Sequence, residues 1–341
     1  MQINSTHNKF FWIILIISAI LLSIGTVYAQ VNDVTLHFLN VQQGKVHIQM
    51  MEGVAGNPWQ YRILADWMVD YIIKLFGDTG IPRPKISAFI AFRFIQCLLI
   101  FLAAGIYYQK LRLSLFANLL GLSILTWGMS HSLYNSDLAF NNFFDIAFYL
   151  IAAIIIMEGK FIWIPLLMIP AAFNRETSAL IPFMLIGFAY FSNNKVKNMK
   201  LTMVYAIVSL IFFASIFIGL RLHYGEQQFL TADGYFPGIG LLVLNLTRLV
   251  TWEQLIITLG VTPFLAIFAY RVWPGTLKIF FWVVVPLWFA IHFFAALVAE
   301  TRLLLVPVAL VFIPGALFGI VGKTNPQEYC SEESSQRHAI L

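Results

Sequence analysis

The amino-acid sequence predicts an all-α membrane protein that crosses the bilayer about ten times. Of its 341 residues, 60% are hydrophobic and only 11% are charged. Long apolar runs recur along the chain as far as residue 321. This combination is typical of a polytopic membrane protein and leaves no stretch for a soluble catalytic domain.

The basic balance of the chain, a formal net charge of +5, does not indicate a nucleic-acid partner. Lysines and arginines are scattered at the ends of apolar segments, so membrane topology explains them better than nucleic-acid binding does. Residues 1–321 are therefore predicted to form a single transmembrane domain. The polar residues 322–341 are predicted to be a disordered cytoplasmic tail.

The first apolar run covers residues 10–30 and ends in Val27-Tyr28-Ala29, which resembles a signal-peptidase site. Because the run is longer than the apolar core of a usual signal peptide, we expect it to be retained as the first span. The other predicted spans follow in chain order: 86–107, 115–130, 142–157, 161–173, 179–191, 201–220, 253–270, 279–298 and 303–321.

Two of these apolar runs, 161–173 and 179–191, are short and flank the polar sequence Asn174-Arg175-Glu176-Thr177. Each run would form a helix of roughly 20 Å, against a hydrocarbon core of about 30 Å, so the pair is either one kinked span or a hairpin. Lysines flank both outer ends of the pair: Lys160, Lys195, Lys197 and Lys200. Because basic residues mark the cytoplasmic side, a hairpin is predicted, with the polar sequence at its tip.

The distribution of positive charge predicts that both termini are cytoplasmic and that the protein lies in the cytoplasmic membrane. The predicted cytoplasmic segments carry eleven cations: Lys9, Lys110, Arg112, Lys160, Lys195, Lys197, Lys200, Arg271, Lys278, Lys323 and Arg337. Apart from the long first loop, the outer side carries four: Arg175, Arg221, Arg248 and Arg302. This bias follows the positive-inside rule.

Two long outer loops are predicted, residues 31–85 and 221–252. In the first loop, Asn57-Pro58 is a good helix start, and apolar residues then recur at spacings of three and four. We therefore expect an interfacial helix over residues 58–76, with its tryptophans at the level of the lipid headgroups. The glycine-rich second loop is predicted to cover an outer cavity.

Charged side chains on the predicted outer side form the candidate site: Asp33, Arg62, Asp137, Arg175, Glu176, Glu300 and Arg302. Arg175 and Glu176 stand out because the hairpin would hold them below the membrane surface, where ionisable groups usually line a water-filled cavity. The plainer alternatives are a buried ion pair at the tip, solvated loop carboxylates and headgroup anchors. Three ionisable residues inside predicted spans also need partners: Arg93, Asp145 and His292.

Arginines and carboxylates that face the outer side suit an anionic, lipid-linked substrate. Arginine binds phosphate through a planar fork of donors, and a carboxylate can take the proton of an acceptor hydroxyl. The sequence contains no metal-ligand spacing, phosphate-binding glycine loop, dinucleotide fingerprint or serine-nucleophile motif.

The layout resembles the integral-membrane glycosyltransferases of the C superfamily, which use polyprenyl-phosphate sugars. The likeness rests on a first span followed by a carboxylate, here Asp33, on a long outer loop with an interfacial helix, and on short paired helices. The segments Gln60-Tyr61-Arg62-Ile63-Leu64 and Asn174-Arg175-Glu176-Thr177 look like stretches of small bacterial membrane proteins of this type. One departure is that the family often carries paired acidic residues in the first loop, whereas Asp33 stands alone.

The resemblance implies an inverting transfer of a sugar from a polyprenyl-phosphate donor to a glycan, lipid or protein acceptor at the outer face. It assigns catalysis to Asp33, as the first choice of base, and to Glu176. Substrate binding falls to the remaining candidates: Arg62, Asp137, Arg175, Glu300 and Arg302. Of these, Arg175 and Arg302 are expected to contact the donor phosphate, with Glu176 and Glu300 orienting them. A divalent cation is compatible with the resemblance, because some relatives use one, but no ligand cluster in the sequence requires it.

Two other classes of protein remain open at this stage. A polysaccharide polymerase or a flippase for lipid-linked glycans would also need outer-facing arginines. A secondary transporter would use Arg175 and Glu176 as its coupling site. The absence of an internal repeat in the sequence weakens the transporter interpretation.

Overall fold

The computed structural model describes residues 5–134, 136–192, 198–229 and 234–321, and within these ranges the chain is helical and has no strand. The all-α class is therefore confirmed. The predicted tail, residues 322–341, lies outside the described residues. The same holds for Lys195 and Lys197, two of the lysines that oriented the hairpin.

The helices are numbered here in chain order, leaving out turns of five residues or fewer. They are α1, Ser5–Val34; α2, Gly44–Glu52; α3, Leu64–Asp78; α4, Pro84–Lys110; α5, Leu115–Ser130; α6, Phe140–Met157; α7, Trp163–Asn174; α8, Leu180–Phe191; α9, Met199–Tyr224; α10, Ile239–Thr247; α11, Leu249–Leu259; α12, Thr262–Phe268; α13, Gly275–Ala295; and α14, Thr301–Ile320.

Several helix starts follow directly from local sequence. Ser114 and Asn198 cap α5 and α9, where their side chains accept the amide protons of Ala117 and Leu201. Pro84 begins α4, at a position where the missing N–H would have no partner in any case. These residues explain why the chain enters its apolar segments as helices at these points.

Six helices in the described part of the chain are long and apolar enough to cross a membrane: α1, α4, α6, α9, α13 and α14. A seventh span is present if α10 and α11, which meet at a bend of 69°, form one broken crossing. The apolar helices α5, α7 and α8 are shorter. The fold therefore indicates a membrane protein, and the predicted count of about ten spans is not confirmed.

The predicted span over residues 253–270 is wrong as a single helix. Helix α11 ends at Leu259, and α12 begins at Thr262. Between them Gly260 has a φ of +54°, which residues with a side chain rarely adopt, and Pro263 then favours a new helix start. The glycine interrupts the apolar run where composition alone predicted continuity.

The predicted helix over residues 58–76 begins later than expected. A short 3₁₀ turn covers Trp59–Tyr61, Arg62 leaves the helical conformation at φ −116° and ψ 48°, and α3 then begins at Leu64. Helix α3 is amphipathic: Ala65 and Val69 are buried, while Trp67, Met68 and Tyr71 are among the exposed residues. Its location in the membrane interface remains a prediction.

Helices α7 and α8 form a hairpin. The ring of Phe161, just before α7, lies 6.5 Å from the ring of Phe188 near the end of α8. A straight helix over this stretch would separate the two rings by about 40 Å, at 1.5 Å per residue. The chain reverses where Arg175 is extended, between α7 and a 3₁₀ turn at Glu176–Ala179.

The bundle core contains a local irregularity in α14 that the surrounding helices accommodate. A π-helical turn covers Val308–Phe312, and the hydroxyls of Tyr107 and Tyr108 donate to the carbonyl oxygens of Leu310 and Ala309. These two hydrogen bonds satisfy carbonyl groups that the irregular turn presents to α4.

The two ends of the bundle differ in charge. One end carries the hairpin tip, the start of α6 and the end of α9, where arginines and carboxylates meet. At the opposite end, Lys110 and Lys160 both pair with Glu158. The end with the tip is the one that the charge distribution predicts to face outward.

Candidate functional site

Three of the four residues in the hairpin tip converge on Asp145, which lies in the second turn of α6 and is completely buried. Asn174 Nδ2 and Thr177 Oγ1 each donate to a different carboxylate oxygen of Asp145, both at 2.8 Å. Tyr149, one turn further along α6, donates to the carbonyl oxygen of Thr177. A buried carboxylate that accepts several hydrogen bonds locks the tip onto α6.

Arg175 completes this network. Its Nη1 lies 3.3 Å from Asp145 Oδ2, and the two side chains are 4% and 1% exposed. Its Nη2 lies 3.4 Å from His292 Nε2. Because His292 Nδ1 lies 2.8 Å from the carbonyl oxygen of Trp288, we assign the proton to Nδ1, which leaves Nε2 as an acceptor for Arg175.

The sequence left two kinds of partner open for Arg175, a substrate phosphate or a carboxylate. The structure provides a carboxylate, that of Asp145 in α6. Burial of Arg175 therefore does not by itself require an anionic ligand. Its role in substrate binding remains a prediction.

Glu176 faces away from this network. Its Oε2 accepts a hydrogen bond from Arg62 Nε at 3.0 Å and lies 2.9 Å from Arg62 Nη2, and its Oε1 lies 3.8 Å from Arg221 Nη2. The guanidinium of Arg221 stacks over the ring of Tyr61 at 4.4 Å. The structure thus joins two predicted site residues, Arg62 and Glu176, and adds Arg221, which the sequence placed on the outer side without a site role.

A second ion-pair group contains three further candidates, Asp137, Glu300 and Arg302. Arg302 Nη2 donates to Glu300 Oε2 at 2.7 Å, and Arg302 Nη1 lies 4.0 Å from Asp137 Oδ1. Asp137 also accepts a hydrogen bond from the amide of Ala139, which fixes the loop before α6. Arg302, Glu300 and Asp137 are thus brought together as predicted site residues, although Arg302 is nearly buried.

A narrow cleft with a volume of about 40 Å³ is lined by one member of each group, Arg62 and Asp137. His47 and Asp66 line the same cleft, and His47 Nδ1 lies 3.0 Å from Asp66 Oδ1. Burial raises the pKa of Asp66, although its hydrogen bond with His47 acts in the opposite direction. We refer to this cavity, with Arg62, Asp137, His47 and Asp66 in its wall, as the central cleft.

Sequence reasoning missed His47. It lies in the short helix α2 of the first outer loop, and no motif or spacing marks it. The spacing of Asp66 and Asp70, four residues apart on one face of α3, was the available signal, because paired carboxylates attract a cationic or proton-donating partner. His47 lies between them, with Nε2 3.9 Å from Asp70 Oδ1.

Asp33, the first-choice base, lines a different cavity. It is exposed at the end of α1, in a pocket of about 790 Å³ that is also lined by His131, Tyr134 and Gln254. Ser136 belongs to this pocket and its neighbour Asp137 to the central cleft, so the two cavities adjoin. The structure does not place Asp33 among the arginines, and its role as base remains a prediction.

In the described residues, no group of three or more His, Cys, Asp or Glu side chains is placed to hold a metal ion. Cys97 is buried in α4.

No protein-family model, curated protein or solved structure matches this chain. The fold therefore defines the protein only as an all-α membrane protein with a polar end to its helix bundle. Its activity has to be inferred from the candidate site.

Proposed function

We propose that this protein is a membrane glycosyltransferase that moves a sugar from a polyprenyl-phosphate carrier to an acceptor at the outer face of the cytoplasmic membrane. The observation that carries the proposal is the central cleft, where Arg62 and Asp137 each belong to a separate arginine–carboxylate group. The phosphate of the donor needs an arginine and the hydroxyl of the acceptor needs a carboxylate, and both side chains must lie in one cavity.

Arg62 is the side chain best placed to bind the donor phosphate. Glu176 Oε2 accepts a hydrogen bond from Nε and lies 2.9 Å from Nη2, so this carboxylate holds the guanidinium in place at the wall of the central cleft. Arg302 contributes positive charge from behind Asp137. In this arrangement Glu300 orients Arg302, as the resemblance implies, whereas Glu176 orients Arg62 rather than Arg175.

The orientation of the chain is part of the proposal: both termini are cytoplasmic and the central cleft opens outward. Lys74 of α3 and Lys200 of α9 are exposed side chains at opposite ends of the bundle. In a Cys330→Ser background, Lys74→Cys should react with an impermeant maleimide on intact cells, and Lys200→Cys only after permeabilisation. The reverse labelling pattern would place the central cleft on the cytoplasmic side and would contradict the proposal.

Transfer is tested with the purified protein in liposomes and a set of radiolabelled polyprenyl-phosphate-linked hexoses. Arg62→Lys keeps the charge but loses the planar fork, so transfer should fall about tenfold or more, as expected for a hydrogen bond between charged groups. Arg83→Lys is the matched control, because Arg83 is exposed and lies outside the central cleft. Absence of transfer by the wild type with every donor would overturn the proposal.

A secondary transporter is the second candidate, favoured by the buried Asp145, Arg175 and His292. Ionisable groups held together inside a membrane domain are the usual components of a coupling site. Proton-coupled uptake into proteoliposomes that is lost in His292→Gln, without any sugar transfer by the wild type, would favour this class over the transferase. Movement of the lipid-linked sugar itself across the bilayer would indicate a flippase.

A further inference from the structure

His47 and Asp66 form a hydrogen-bonded pair in the wall of the central cleft. His47 is 6% exposed, and its Nδ1 lies 3.0 Å from Asp66 Oδ1, so in the neutral ring Nδ1 carries the proton and Nε2 carries the lone pair. The ring edge packs against Phe89 of α4, with ring centroids 5.9 Å apart. A histidine fixed at one nitrogen by a carboxylate is positioned to accept a proton at the other.

The charges that face His47 come from several elements. On α3, Asp66 lies at Nδ1, while Asp70 lies 3.9 Å from Nε2 and is paired with Lys74 at 2.6 Å. Across the cleft are Arg62, before α3, and Asp137, before α6. On α4, Lys85 packs against Gly44, one turn before His47. A protonated ring would lie between two carboxylates, which stabilise the positive charge formed by proton uptake.

We propose that His47 is the general base of the transferase and that Asp66 is its positioning residue; this inference rests on the proposed function. His47 Nε2 removes the proton of the acceptor hydroxyl as the acceptor oxygen forms a bond to the anomeric carbon. The bond from that carbon to the phosphate oxygen breaks with its electron pair. The lipid phosphate leaves as an anion facing Arg62, and the proton remains on His47.

The location of His47 is what distinguishes it from Asp33. Base and phosphate-binding arginine must reach the same anomeric carbon, and His47 shares the central cleft with Arg62, whereas Asp33 lines the adjoining cavity. A base also has to be held in a fixed orientation, and Asp66 provides that for His47.

The test compares His47→Gln with His37→Gln, an exposed histidine in the same outer loop that lines a different pocket. The donor is a radiolabelled polyprenyl-phosphate hexose that the wild type uses, and binding of polyprenyl phosphate is measured in parallel. In His47→Gln, transfer should fall about a hundredfold or more, in the range of general acid–base catalysis, while binding stays within about twofold. His37→Gln should resemble the wild type.

The pH profile separates catalysis from a structural role. In the wild type, kcat/KM should rise with pH and then level off, because a general base acts only in its deprotonated form, and His47→Gln should lose this rising limb. Asp66→Asn should keep the limb but move it to lower pH, because the imidazolium loses a neighbouring negative charge. This second variant retains His47 and so tests the pair even where His47→Gln folds poorly.

A His47→Gln protein with the wild-type transfer rate and the wild-type rise of kcat/KM with pH would overturn the inference and leave the proposed function intact. Loss of transfer in Asp33→Asn would then assign the base to Asp33. An unshifted limb in Asp66→Asn would also overturn it. Failure of the proposed function is distinguishable, because the wild type itself would then neither bind polyprenyl phosphate nor transfer sugar.

Discussion

Arg175 and Glu176 are consecutive in sequence but belong to different environments. Arg175 is 4% exposed and pairs with Asp145 inside the bundle, whereas Glu176 is 27% exposed and pairs with Arg62 beside the central cleft. The extended backbone at Arg175, with φ −159° and ψ 154°, turns the two side chains to opposite sides. One short polar sequence therefore supplies both a buried anchor and a residue of the candidate site.

The difference indicates which charges hold the fold and which are available for chemistry. Asp145 has its hydrogen-bond acceptors occupied by Asn174, Thr177 and Arg175, and a ligand would have to displace them. Arg62 lines the central cleft and Glu176 pairs with it, and the two side chains are 13% and 27% exposed. Substitutions in the first group should act on stability, and substitutions in the second on activity.

Asp145→Ala should have the largest effect, on stability. Removing one partner of a buried ion pair leaves Arg175 uncompensated, which destabilises by about 3–5 kcal/mol. We expect little folded protein in the membrane, measured as monodisperse yield and as the midpoint of thermal unfolding in detergent. Asp78→Ala, an exposed carboxylate on α3, is the control and should behave like the wild type. A folded Asp145→Ala protein with an unchanged midpoint would contradict the anchor role.

Glu176→Gln should show the reverse pattern. Transfer should fall about tenfold or more, because a hydrogen bond to a charged group contributes roughly 1.5–3 kcal/mol to holding Arg62 in place. The unfolding free energy should change by only about 1 kcal/mol or less, since both side chains are partly exposed. The measurements are the liposome transfer assay and detergent unfolding. Equal losses of stability in Glu176→Gln and Asp145→Ala would erase the distinction between the two environments.

Trp67→Asp tests the contact between α3 and the hairpin. The ring of Trp67 lies 5.6 Å from that of Phe173 at the end of α7, and Trp67 is 43% exposed. Loss of this aromatic pair should reduce stability by about 0.5–1.5 kcal/mol, whereas Trp67→Phe should retain most of it. Detergent unfolding measures both. Identical midpoints for the Asp and Phe variants would show that the contact does not hold α3.

Glu158→Gln, at the opposite end of the bundle, should have the smallest effect. Hydrogen bonds from Lys110 and Lys160 lower the pKa of Glu158 below its ordinary value of 4.5. A lowered folded-state pKa stabilises above that ordinary value, and the stabilisation is lost as pH falls through the lowered pKa. For partly exposed groups the contribution is at most about 1 kcal/mol. The variant should flatten the acid dependence of unfolding below about pH 4.5, and an unchanged acid dependence would exclude this contribution.

Much of the helical framework was predictable from apolar periodicity and length. The span predicted over 142–157 corresponds to α6 at Phe140–Met157, and the short runs around residue 175 became α7 and α8. The predictions failed where one residue decides the backbone. Gly260 breaks an apolar run because its backbone adopts a positive φ. Arg62 ends a turn before α3, where the local conformation depends on packing and on the ion pair with Glu176.

The candidate site was predictable in part. The sequence singled out Arg62, Glu176, Asp137, Glu300 and Arg302, and the structure groups them around one end of the bundle. It did not mark His47, because a lone histidine in a loop has no periodic or motif signal. Its partner Asp66 is 19 residues away, and only the packing of α2 against α3 brings them together.

The sequence by itself determined the all-α class, the membrane character and the polar hairpin tip, because hydropathy and helix length act locally along the chain. Tertiary structure alone decided that Asp145 neutralises Arg175, that Asp33 and Arg62 line different cavities, and that His47 faces the central cleft. These facts are distances between residues far apart in sequence. They follow from how the helices pack, which no local pattern specifies.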